Sequence, residues 1–115
     1  MTLSNENTNP IISVVKINNT QIARGSRKEI MIWDLLSETC VITIKYRFLS
    51  SLVALNGSNI VGGYENGSII VWDIKSGDCI KTIYGHYDAV NCMIKLSNNQ
   101  IASGGNDRYI KIWNL

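Results

Sequence analysis

Ile69-Ile70-Val71-Trp72-Asp73-Ile74 is a frame that the chain carries three times. Ile30-Met31-Ile32-Trp33-Asp34-Leu35 precedes it by 39 residues, and Ile110-Lys111-Ile112-Trp113-Asn114-Leu115 follows it by 41. The flanks repeat too. Asn59-Ile60-Val61-Gly62-Gly63 aligns without a gap with Gln100-Ile101-Ala102-Ser103-Gly104, 41 positions on. Cys40-Val41-Ile42-Thr43-Ile44 lies 39 positions before Cys79-Ile80-Lys81-Thr82-Ile83. Self-similarity at a period of about 40 marks a repeat architecture, in which each unit buries an apolar face against its neighbour.

Within each unit, short β-branched runs bounded by turn residues predict strands rather than helices. They fall near 11–17, 21–25, 29–35 and 39–44, then 49–55, 59–63, 68–74 and 79–84, then 90–96, 100–104 and 109–115. Asn56-Gly57 and Asn66-Gly67 are expected to turn through positive φ, with Asn98-Asn99 and Asp107-Arg108 in the same role in unit three. Four antiparallel strands per about 40 residues is the period of a propeller blade. The predicted fold is therefore all-β: a partial β-propeller of three antiparallel blades, the last lacking its outer strand. The blades span about 11–44, 49–84 and 90–115, after a polar segment over 1–10.

Composition agrees with one globular domain. Of 115 residues 45% are hydrophobic, and 11 basic against 9 acidic residues leave a net charge of +2. That balance argues against nucleic acid as the partner. No apolar run approaches the ~20 residues of a membrane helix, and the polar start lacks the pattern of a secretory signal. An intracellular, cytoplasmic location is expected. Three cysteines, Cys40, Cys79 and Cys92, with one histidine and no Cys-x-x-Cys pair, argue against zinc and suggest reduced, buried thiols. Gly104-Gly105 has no following helix and no Gly-Lys-Ser, so no phosphate loop and no cofactor are expected.

The Trp-Asp pairs at 33–34 and 72–73, the Gly85-His86 pair and the Ser103-Gly104-Gly105-Asn106-Asp107 turn resemble the WD-repeat β-propeller family, over residues 11–115. The resemblance implies a hydrogen-bonded chain inside the third blade, from Trp113 to Ser103, Ser103 to His86 and His86 to Asp107. Buried indole and imidazole groups need such partners. The alternative is a hydrolase or small-ligand site built on Ser103, His86 and Asp107, although no Gly-x-Ser-x-Gly elbow is present. Unit two has Gly62 and Asn66 at the Ser and Asp positions and Tyr46-Arg47-Phe48 where the His would fall. Unit one has Arg24 and Arg27. Both blades are expected to lack the network and to be less rigid.

By the same resemblance the chain is a non-enzymatic scaffold for protein–protein interaction, its partners other proteins or peptides bound on the face of inter-blade loops. The matching positions are Pro10, Ile12 and Ser26 in unit one, Phe48, Ser50 and Glu65 in unit two, and Ala89, Asn91 and Asn106 in unit three. Arg27, Arg47 and Arg108 lie nearby, and Tyr64, Tyr84, Tyr87 and Tyr109 could add to the surface. Propellers close with about 4–8 blades. Three units therefore suggest self-association, further propeller blades, or a truncated fragment without independent function.

Overall fold

The computed structural model describes residues 1–4 and 9–115, so part of the polar segment 1–10 lies outside the described residues. Three antiparallel meanders follow one another. The first sheet runs β1 (Ile11–Lys16), β2 (Gln21–Ser26), β3 (Glu29–Asp34) and β4 (Thr39–Lys45) in spatial order. The second repeats this with β5 (Leu49–Ala54), β6 (Asn59–Tyr64), β7 (Ser68–Asp73) and β8 (Cys79–Tyr84). The third holds β9 (Val90–Ser97), β10 (Gln100–Gly105) and β11 (Ile110–Asn114). The described elements are all strands. They form three propeller blades, the third with three strands.

The period of two explains the repeated frame. In β7, Ile70 and Trp72 join Ile30 and Ile32 in one core cluster, between the first two blades. Ile69 and Val71 join Val90 and Ile101 in a second cluster, between the second and third. The middle blade is buried on both faces, so its third strand reads as an unbroken apolar run. The same translation leaves the third blade open. Ile69 and Val71 are 0% and 3% exposed, while their repeat equivalents Ile110 and Ile112 are 82% and 54% exposed.

The aspartates of the Trp-Asp pairs shape the next turn. Asp73 Oδ1 accepts the Lys75 and Ser76 N–H groups, which lowers its pKa, and Asp34 Oδ1 accepts that of Leu36. Positive φ occurs at Gly67 and Arg108 as the sequence suggests, but not at Asn56-Gly57 or Asn98-Asn99. Asn56 Oδ1 instead accepts the Ser58 and Asn59 N–H groups, an Asx-type turn that needs no left-handed residue. The thiols also differ from expectation: Cys79 and Cys92 are exposed and Cys40 is half-buried. Cys40 and Cys79 sit on the outer strands β4 and β8, where only one neighbouring strand shields them.

Candidate functional site

In the third blade, β10 supplies Ser103, β11 supplies Trp113, the β10–β11 turn supplies Asp107, and the loop before β9 supplies His86. These four side chains meet. Trp113 Nε1 donates to Ser103 Oγ at 2.8 Å, and Ser103 Oγ lies 2.7 Å from His86 Nε2. His86 Nδ1 lies 3.0 Å from both Asp107 oxygens. The carboxylate fixes the proton on Nδ1, so Nε2 accepts from Ser103, whose oxygen in turn accepts from the indole. Every donor then has an acceptor. Burial raises the Asp107 pKa, but the His86 bond and the Tyr87 and Tyr109 N–H groups outweigh it and hold the carboxyl at about 2.

Ser, His and Asp at these distances also match a nucleophile, base and orienting acid. The environment does not. Ser103 is 1% exposed, and its oxygen already accepts the Trp113 N–H.

The second blade is not a blade without a network. Trp72 Nε1 donates to Tyr64 Oη at 3.0 Å, so a tyrosine two residues along the strand replaces the missing serine. Tyr46, from the loop where the histidine is absent, packs edge-on against both Tyr64 and Trp72 at 4.9 and 5.5 Å. Gly62 at the Ser position makes this possible, since a Cβ there would stand 2.8 Å from Tyr64 Oη. Burial pushes the Tyr64 phenol well above its ordinary pKa. Only the first blade leaves the position unfilled among the described residues: Trp33 Nε1 and Arg24 Nε are buried without a hydrogen-bond partner. Ser26 serves its turn, with Oγ accepting the Lys28 and Glu29 N–H groups at 3.2 Å.

The loop-face residues fall into two kinds. Ile12, Ser50 and Asn91 occupy a β-bulge at the same place in each first strand, where one extra residue re-aims a side chain. Ser50 is a structural link: its hydroxyl lies 2.6 Å from the Val90 carbonyl of the next blade. Half-buried Ala89 accepts the Asn106 N–H at 2.9 Å, and Asn91 Nδ2 donates to Asn106 Oδ1. Glu65 pairs with Arg27 across the first two blades. Phe48 and Arg108 are presented outward by left-handed backbone, at φ 70° and 73°. Phe48 is 54% exposed and, with Arg47, Arg27, Lys28, Pro10 and Ile12, lines a concavity of about 370 Å³. Of the tyrosines, Tyr64 is buried, and Tyr84, Tyr87 and Tyr109 are exposed.

Lys111 was not singled out by the sequence. Its Nζ donates to the Gly85 carbonyl at 2.6 Å and stands 5.7–5.9 Å from the Tyr87, Tyr109 and Trp113 rings. The alternation Tyr109, Lys111, Trp113 on one strand face is the signal that could have found it.

Successive antiparallel meanders stacked face to face, one of them carrying an indole–hydroxyl–imidazole–carboxylate chain, define a β-propeller repeat protein. The chain is similar to the WD-repeat β-propeller family. The WD domain, G-beta repeat family matches residues 77–114. A p21-activated protein kinase-interacting protein 1-like of Danio rerio is 30% identical over 108 residues, covering 90% of this chain and 29% of that protein. Protein ROOT INITIATION DEFECTIVE 3 of Arabidopsis thaliana is 33% identical over 69 residues, covering 58% of this chain and 16% of its own. The solved structure of U3-55K superposes with a TM-score of 0.75 at 26% identity, over 84% of this chain and 31% of that one. The chain thus spans less than a third of the length of each. WD-repeat proteins are generally scaffolds for protein interaction rather than enzymes.

Proposed function

We propose that this chain is a non-enzymatic protein-interaction module whose loop face, centred on Phe48 and extending to Arg108, receives a protein or peptide. The carrying observation is Phe48: an aromatic ring held outward on strained left-handed backbone and left more than half exposed beside Arg47. Aromatic and arginine side chains together are the residue types that dominate binding energy at interfaces. Glu65, Asn91 and Asn106 complete the surface, while Ser50 and Ala89 hold its frame. The relatives' greater length supports a larger or oligomeric propeller as the working form. Three free thiols fit a reducing, cytoplasmic setting.

The test is capture from cell extract by wild type, Phe48→Ala and Arg108→Glu. Both substitutions lie on exposed residues and should leave the urea midpoint unchanged while reducing the bound set. Identical bound sets for all three would remove the loop face from consideration.

A further inference from the structure

The loop end of the first two blades collects positive charge. Arg27 and Lys28 form the β2–β3 turn, Lys45 ends β4 and Arg47 follows it, and all four are exposed. The two carboxylates beside them are already committed. Glu65 pairs with Arg27. Glu29 is buried, and its oxygens accept from Ser26 Oγ at 2.9 Å and from Asn9 Nδ2 at 3.1 and 3.3 Å. Lys28, Lys45 and Arg47 are left without an ion pair among the described residues. The far end of the same blades has the other sign: Asp34, Glu38, Asp73 and Asp78 lie in or beside the β3–β4 and β7–β8 turns, with Lys75.

The unpaired cations surround an apolar surface. Arg47 lines three adjoining concavities of about 480, 370 and 380 Å³, and Lys28 lines the second and third. Phe48 is the ridge between the first two, with Tyr46 and Tyr64 on one side and Pro10 and Ile12 on the other. The ridge is fixed by backbone bonds on both sides. The Phe48 N–H donates to the Arg27 carbonyl at 2.6 Å, and the Phe48 carbonyl accepts the Glu65 N–H at 2.9 Å. A ligand therefore meets a surface that is already ordered, which lowers the entropy lost on binding.

We infer that the partner segment taken by this face is an acidic peptide, with carboxylates on both sides of one apolar side chain. The inference rests on the loop-face reading and names the chemistry of its partner. The apolar side chain packs against Phe48 in the hollow shared with Pro10 and Ile12. The flanking carboxylates meet Arg47, whose planar fork suits a bidentate carboxylate, and Lys28. Nucleic acid fits this surface less well, because it needs a groove of cations that tracks a backbone, and three unpaired cations around an apolar hollow make no such track. The cations and Phe48 come from the β2–β3 turn, the end of β4 and the β4–β5 link, at the boundary of the first two blades. The site thus depends on neither of the open outer faces.

Fluorescence anisotropy on the purified chain is the test, with a dye-labelled peptide of about six Asp and Glu residues around a single Leu. The same peptide with amides in place of its carboxylates should bind about tenfold more weakly, and one with glycine for the leucine several-fold more weakly. Exposed charge pairs are screened by salt, so raising it from about 0.05 to about 0.5 M should weaken the acidic peptide about tenfold. Arg47→Glu should weaken it as much at an unchanged urea midpoint, while Lys75→Glu, at the far end, should not weaken it. No binding of the acidic peptide, equal binding of the amide version, or indifference to Arg47→Glu would overturn the inference. So would tighter binding of a single-stranded oligonucleotide of the same charge. These failures are distinct from failure of the loop-face reading. If only the acidic partner is wrong, Phe48→Ala still loses partners from extract; if the loop face is wrong, that variant keeps them.

Discussion

Ser103→Ala tests the third-blade network at its centre. The hydroxyl joins two groups, Trp113 Nε1 at 2.8 Å and His86 Nε2 at 2.7 Å, and alanine removes both bonds while leaving the backbone register intact. The two losses are unequal. The His86 side chain is fully buried, so its Nε2 is left without protein or water and costs about 1–3 kcal/mol. Trp113 is half-buried, so water recovers part of its bond and the loss there is below about 1 kcal/mol. Together they predict a destabilisation of about 1–4 kcal/mol. The assay is urea unfolding followed by tryptophan fluorescence, with Ser97→Ala on the exposed end of β9 as control, expected within about 0.5 kcal/mol of wild type. A Ser103→Ala midpoint equal to that of the control, at unchanged m, would refute the network as a source of stability.

Three other perturbations follow from the geometry. Gly62→Ala places a methyl 2.8–3.0 Å from Tyr64 and Leu49 atoms and should cost about 1–3 kcal/mol, with a smaller cost in a Tyr64→Ala background if the clash with Tyr64 is the cause. Glu38 has φ 57° where its repeat equivalent is Gly77 at φ 77°, so Glu38→Gly should stabilise by up to about 1 kcal/mol in the same urea assay. Asp107 has its pKa lowered from 3.8 to about 2 in the folded chain. Its contribution is therefore full above about pH 4 and lost as the pH falls towards about 2, and urea midpoints across that window should fall more steeply for wild type than for Asp107→Asn.

The architecture was legible because period and composition agree. Three Trp frames at near-constant spacing, each with alternating faces, admit few folds other than stacked blades. Ser103, His86, Asp107 and Trp113 stood out because each is a polar type at a fixed offset from the Trp frame. The second-blade substitute was hidden for a physical reason. Gly62 alone reads as a loss, and Tyr64 alone reads as a surface aromatic. Only the same-face placement of residues two apart on β6 lets the ring reach back over the glycine to Trp72. Thiol burial was misread because a repeat match says nothing of whether a strand lies at the rim. The bulges at Ile12, Ser50 and Asn91 are one-residue irregularities that no propensity signals, yet they decide where those side chains point.

If partners are held on the loop face, site-specific photocrosslinking captures them there. A photoreactive phenylalanine analogue in place of Phe48 samples that face. The same analogue in place of Leu36, 81% exposed in the β3–β4 turn at the opposite end of the first blade, samples the other. Crosslinked partners at position 48 and none at position 36 are the predicted result; crosslinks at 36 alone, or at neither, would contradict it.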